Sequence, residues 1–131
     1  MATLTEAYRD IAERHLRAAR VVLSESLPEV AVFHAYHSLE AMACAAISVR
    51  GLPVPWNHEQ KILHFLHVYR SQPFIHGATA LALKLIPLRS RVLYPTDPEL
   101  LARDVITGAE AQEIVARVEG LFPLVQRTIS T

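Results

Sequence analysis

One stretch decides what this chain can fold into. From Pro28 to Gly51 it reads PEVAVFHAYHSLEAMACAAISVRG. Placed on a helix, Val32, Tyr36, Leu39, Ala43, Ala46 and Ile47 share one face, and Ala35, Met42, Ala45 and Val49 widen it. Only His34, His37 and Ser48 leave a narrow polar strip. A helix apolar over most of its circumference has to be surrounded by other elements. Its alanines let neighbouring backbones come close. Pro28 suits the first helical turn, where a missing N–H costs nothing, and Gly51 suits the position just past the end. The stretch is read as the central helix of a small bundle.

The flanking segments supply the surroundings. A first helix is predicted over 4–24, opened by Thr3 and Glu6 at capping-box spacing. Ile11, His15, Ala18, Ala19, Val22 and Leu23 form its expected inner face, with Asp10–Arg14 and Glu13–Arg17 as i, i+4 ion pairs on the wet side. The short link 25–27 returns the central helix antiparallel to it. In LPVPWN two prolines forbid helix, and Trp56 is expected to plug the end of the bundle. Asn57 and Gln60 cap a third helix that runs to about Arg70, with Ile62, Phe65, Leu66 and Tyr69 inward, until Pro73 breaks it.

A fourth helix starts near His76 and Gly77, turns Ala78, Leu81, Leu85, Leu88 and Val92 inward, kinks at Pro87 and stops at Pro95. The segment TDPELLARDVI fits either a turn or a short helix. Thr107 and Glu110 open a fifth helix, striped by Ala111, Ile114, Val115, Val118, Leu121, Phe122 and Val125, with a bend expected at Gly120–Pro123. No strand alternation, repeat or linker interrupts this order. The expectation is an all-α fold, an antiparallel bundle of four to five helices forming a single domain over residues 1–131.

Composition removes several function classes. The 13 basic and 13 acidic residues cancel, so no whole-molecule field draws the chain to nucleic acid or membrane, though a local patch stays open. One cysteine, Cys44, forbids an internal disulfide, fits a reducing compartment, and sits mid-helix as a small buried thiol. The opening MATLTEAYRDIAERHLR is charged and amphipathic, unlike a signal peptide. The apolar run Ala41–Val49 is too short for a bilayer, which takes about 20 residues. A cytoplasmic protein with no membrane association is expected.

No glycine-rich phosphate loop, nucleophile elbow or cysteine pair is present. Seven histidines are the enriched chemical type. His34, His37 and Glu40 follow at i, i+3, i+6, and His64 and His67 at i, i+3, spacings that can bring two imidazoles to one metal in a bundle. His64 and His67 fall opposite the Ile62–Leu66–Tyr69 stripe and read as solvated. His34 and His37 read better as polar packing or as residues of an interface, and His15 as a core histidine. No metal site and no cofactor are expected; a metal-binding bundle remains a secondary reading.

The pieces HLRAARVVLSES, VAVFHAYHSLEAMACAAISVRG, WNHEQKILHFL, RSRVLYPTD and GAEAQEIVARVEGLF, in this order, resemble the HEPN family (higher eukaryotes and prokaryotes nucleotide-binding domain). The resemblance covers nearly the whole chain. It implies an antiparallel bundle that often forms a homodimer, associates with nucleotide or RNA, and is encoded beside a small nucleotidyltransferase as a toxin–antitoxin-like pair. Ribonuclease members carry Arg-x(4–6)-His near the fourth helix, two copies meeting in the dimer cleft. The matching run here is Arg89-Ser90-Arg91-Val92-Leu93-Tyr94-Pro95, and no histidine follows, since the last is His76.

The resemblance therefore implies a non-catalytic binding module. Arg89, Arg91 and Tyr94 are its candidate phosphate contacts, and His34 and His37 its candidate interface residues. A structural role for the arginines, capping fourth-helix carbonyls or pairing with Asp97 or Asp104, is an equal expectation. Two Arg-x5-His pairs occur elsewhere. Arg9/His15 falls in the first helix, whereas Arg70/His76 lies beside the fourth and defines the alternative, a metal-independent endoribonuclease. A scaffold without a nucleotide role is the third reading.

Overall fold

The computed structural model describes residues 2–93 and 101–130. Five α-helices carry the described residues: α1 Leu4–Ser24, α2 Pro28–Ser48, α3 His58–Val68, α4 Ile75–Leu93 and α5 Gly108–Ile129, with one 3₁₀ turn at Ala102–Asp104. The helix starts are local chemistry. Thr3 and Glu6 close a reciprocal capping box on α1, as Thr107 and Glu110 do on α5, and the Asn57 side chain accepts from the Gln60 N–H on α3. At the end of α1, Ser26 takes φ 61°. Its N–H reaches the Leu23 carbonyl while that of Leu27 reaches Val22, the paired bonds of a helix-ending turn usually given to glycine.

α2 lies at the centre. It touches every other helix and the 3₁₀ turn, and from Val32 to Ile47 only Phe33, His34 and His37 escape full burial. Three contacts fix α1 antiparallel beside it. The hydroxyls of Thr5 and Ser48 lie 2.7 Å apart, the buried Ser38 Oγ donates to the Ala12 carbonyl at 2.8 Å, and His15 meets His34. Farther along α2, the Tyr69 hydroxyl just beyond α3 donates to the Ala46 carbonyl at 2.6 Å. The whole of α2 is long and apolar enough to cross a membrane, a test the shorter run Ala41–Val49 does not meet. Yet 78% of its most apolar window is buried within the bundle, which marks it as a core helix.

Several expectations need correction. The buried face of α1 is Ala12, Leu16 and Ala19, whereas Ile11 is 43% exposed and His15, Ala18, Val22 and Leu23 are half-buried. The helix is rotated about one residue from the predicted face, because small Ala12 and Ala19 allow the close approach to α2 that bulkier Ile11 would block. Asp10–Arg14 and Glu13–Arg17 form no ion pair. The pairs made instead are Arg20–Glu119, joining α1 to α5 at 2.7 Å, and Glu113–Arg117 within α5. Val49 is exposed, since α2 ends before it. Trp56 is no plug. It is 98% exposed, held by the proline-bearing loop away from the core that Tyr69 and Phe65 already fill. Pro87 sits within α4 and Pro123 within a continuous α5.

Candidate functional site

The one charged residue buried in α2 is Glu40, 6% exposed. A carboxylate enters such a place only with partners. Two come from α3: His58 Nδ1 lies 2.9 Å from Glu40 Oε1, and the Lys61 ammonium donates to the same oxygen at 3.2 Å. The imidazole and the ammonium remain half-exposed and one-fifth exposed, so Glu40 reaches the surface through them. One turn earlier on α2 stands Tyr36. Burial first, and then the nearby Glu40 carboxylate, push its hydroxyl well above the usual phenol range, so Tyr36 stays a neutral donor.

α4 supplies the cation. The Arg89 guanidinium sits over the Tyr36 ring, 5.4 Å from its centroid. Its Nε is buried and, among the described residues, finds no hydrogen-bond partner. An arginine presents five donors and no acceptor, so Arg89 can bind an oxyanion while its stem stays packed on the ring.

The histidines continue this cluster along α2 toward α1. His37 packs on Phe33 at 4.5 Å, on Tyr36 at 5.3 Å, on His15 at 5.4 Å and edge-on to His58 at 6.1 Å between ring centroids. His15 Nδ1 and His34 Nδ1 face one another at 2.9 Å. Burial lowers His37 to about 4, outweighing the attraction of Glu40. Burial also lowers His15, against the pull of Glu40, and lowers His34 with His15 adding to the effect. All three are neutral imidazoles at pH 7. Cys44, buried, is pushed up to about 12 by desolvation and is no nucleophile.

The sequence candidates divide accordingly. Arg89 belongs to the cluster. Arg91, exposed in the last turn of α4, forms no ion pair among the described residues, and neither arginine pairs with Asp104. Tyr94 and Asp97 lie outside the described residues. Arg70 and His76 are both exposed on either side of the turn between α3 and α4, and no hydrogen bond joins them; Arg70 donates instead to the His67 carbonyl at 2.8 Å. His34 and His37 are half-buried on the flank that α2 shares with α1. His67 is exposed as expected, but His64 is half-buried. No three His, Cys, Asp or Glu side chains among the described residues are placed to hold a metal ion.

Sequence reasoning missed the joining of Tyr36, Glu40, His58, Lys61 and Arg89. Its visible signal was Glu40, an acid in a helix otherwise closed to charge.

The bundle is a small α-domain packed around an apolar core helix, with a cation–carboxylate–tyrosine cluster on that helix's flank. The family model of the HEPN domain matches residues 5–128, and the chain belongs to the HEPN family. The structure is similar to the crystal structure of ST0689, an archaeal HEPN homologue, with a TM-score of 0.71 and 21% sequence identity over 98% of this chain and 99% of that one, a likeness of fold. Among curated proteins none matches this sequence.

Proposed function

We propose that this protein is a non-catalytic HEPN module that binds a nucleotide or RNA phosphate at the Tyr36–Glu40–His58–Lys61–Arg89 cluster, acts as a homodimer, and works beside a small nucleotidyltransferase. The observation that carries the reading is Arg89. A guanidinium held over a tyrosine ring, with no ion pair among the described residues, is a preorganised cation whose outer N–H groups are free to meet an anion. Lys61 and His58 add donors on the same flank, and Glu40 fixes both. The charge is local, which suits a neutral chain that binds one ligand rather than a long polyanion.

The case against catalysis is chemical. Four residues intervene between Arg89 and Tyr94, so tyrosine stands at a spacing where ribonuclease members place histidine. A phenol with a pKa near 10 donates a hydrogen bond to phosphate but is a poor proton shuttle at neutral pH. His37 is within electrostatic reach of Arg89. With its pKa near 4 it is neutral, yet it is enclosed by Phe33, Tyr36, His15 and His58.

The test is a titration of AMP, ATP and a short single-stranded RNA into wild type and Arg89→Ala. Hydrogen bonds to a charged group are worth about 1.5–3 kcal/mol, so binding should weaken about tenfold or more. The RNA should emerge uncut in the presence of EDTA. Equal binding by Arg89→Ala rejects the site. Cleavage lost in both Arg70→Ala and His76→Ala rejects the non-catalytic reading in favour of an endoribonuclease.

A further inference from the structure

A groove separates the start of α4 from the second half of α5. It consists of two adjoining cavities of about 380 and 390 Å³ that share Pro73, Phe74 and Leu124 as walls. Gly77 and Ala80 keep the α4 wall low, so the core side chains of Phe74 and Leu121 are reached from outside. Leu124 stands 40% exposed at the border where the cavities meet. Among the described residues nothing acidic lines either cavity, and the charged lining residues are Arg117 in one and Arg127 in the other.

We propose that this groove docks an amphipathic helix of an acidic partner protein. The floor is apolar and continuous, which suits a stripe of leucine-like side chains at i, i+3, i+4 and i+7 laid between two helices. The rim sets the sign of the partner's flanks. Arg117 is ion-paired to Glu113 at 2.8 Å, whereas the Arg127 Nε donates only to the neutral Pro123 carbonyl at 3.4 Å, so Arg127 supplies the uncompensated charge and both guanidiniums keep further N–H donors. Ten residues apart on one helix, they stand about 15 Å apart along its axis, the reach of carboxylates about three turns apart on a docked helix.

A second copy of the chain is the poorer occupant. A two-fold contact repeats the same rim on both sides and brings no acidic lining residue to meet Arg127. Nucleic acid is poorer too, because phosphates gain nothing from Phe74, Leu81 and Leu121. The surface is separate from the proposed phosphate site: Gly77 and Arg89 are twelve residues apart on α4, about 18 Å along it.

A phage-displayed library of amphipathic helices, with the flanking charge randomised, tests this on the full chain. Selection on wild-type protein should enrich glutamate and aspartate beside the apolar stripe. A labelled peptide from the winners should then lose at least tenfold in affinity to Ala80→Glu, and little to Leu83→Glu, an exposed position of α4 outside the groove. Both variants place a good helix former at a solvent-facing site, and thermal melts check that they fold. Arg127→Glu should shift selection toward lysine flanks. No enrichment, winners with basic flanks, equal binding by Ala80→Glu, or displacement of the peptide by single-stranded RNA would each overturn the proposal. So would a change of oligomeric state in Ala80→Glu, which would make the groove a contact between copies.

Discussion

His15 on α1 and His34 on α2 point their Nδ1 atoms at each other across 2.9 Å. Two ring nitrogens at that distance share one proton; a second would set two N–H groups against each other, so the two rings cannot both be protonated while the contact holds. His37, 5.4 Å from His15 between ring centroids, would add a like charge beside that pair if protonated. The three rings therefore tie the packing of α1 on α2 to their neutrality.

Stability should follow pH with a defined sign. His37, near 4 in the fold against 6.5 in the unfolded chain, takes up its proton more readily when unfolded, and His15 and His34 are lowered in the same direction. Their contribution is complete above pH 6.5 and is lost as pH falls toward 4. Glu40 attracts the His37 proton, while Arg89, His58 and His15 repel it. With a half-exposed ring screened by water, the His37 share is about 1–2 kcal/mol. Urea midpoints at pH 7.5 and 4.5 should differ less in His37→Gln than in wild type. An identical pH dependence in the two proteins removes His37 from this account.

The core gives the second prediction. Ala43 is fully buried in α2, at the most enclosed part of the bundle, so Ala43→Leu forces three extra carbons into filled space and should cost about 1–3 kcal/mol. Leu83, 67% exposed on α4, serves as the control: Leu83→Lys should stay within about 0.5 kcal/mol. Denaturant melts in the reverse order would reverse the inside and outside of the bundle.

α2 shows why much of this fold could be read from sequence. Its apolar positions, its terminal proline and the capping boxes of α1 and α5 are local signals that tertiary contacts reinforce. α1 shows where reading stops. Two apolar ridges, one through Ala12, Leu16 and Ala19 and one through Ile11, His15 and Ala18, differ by a single residue, and only the backbone approach of α2 selects between them. The site was less legible still. Glu40, His58 and Arg89 lie on three helices, and no spacing along the chain encodes where α3 and α4 cross α2. Trp56 misled because indole size argues for burial, while the geometry of the loop holds it in water.

The ridge that α1 does not bury carries the last prediction. Leu4, Tyr8, Ile11, His15, Ala18 and Val22 alternate at spacings of four and three, the seam pattern of paired helices. Leu4 is 61% and Ile11 43% exposed, and the other four are half-buried. Beside Ile11, His15 and Ala18 runs a shallow cavity closed on the α2 side by His34. A dimer is expected to cover this surface, and a two-fold contact along it would repeat every histidine near the axis. Protonating His15 or His34 there would set like charges together, so association should be tighter at pH 7.5 than at pH 5.5. Light scattering coupled to size exclusion at micromolar concentration should return twice the chain mass of 14.6 kDa for wild type. Ile11→Glu, at a position already open to solvent in the single chain, should return the single mass without loss of folding. Wild type at 14.6 kDa excludes the stable dimer. An Ile11→Glu protein that remains dimeric moves the interface off α1, and a dimer equally tight at both pH values removes the histidines from it.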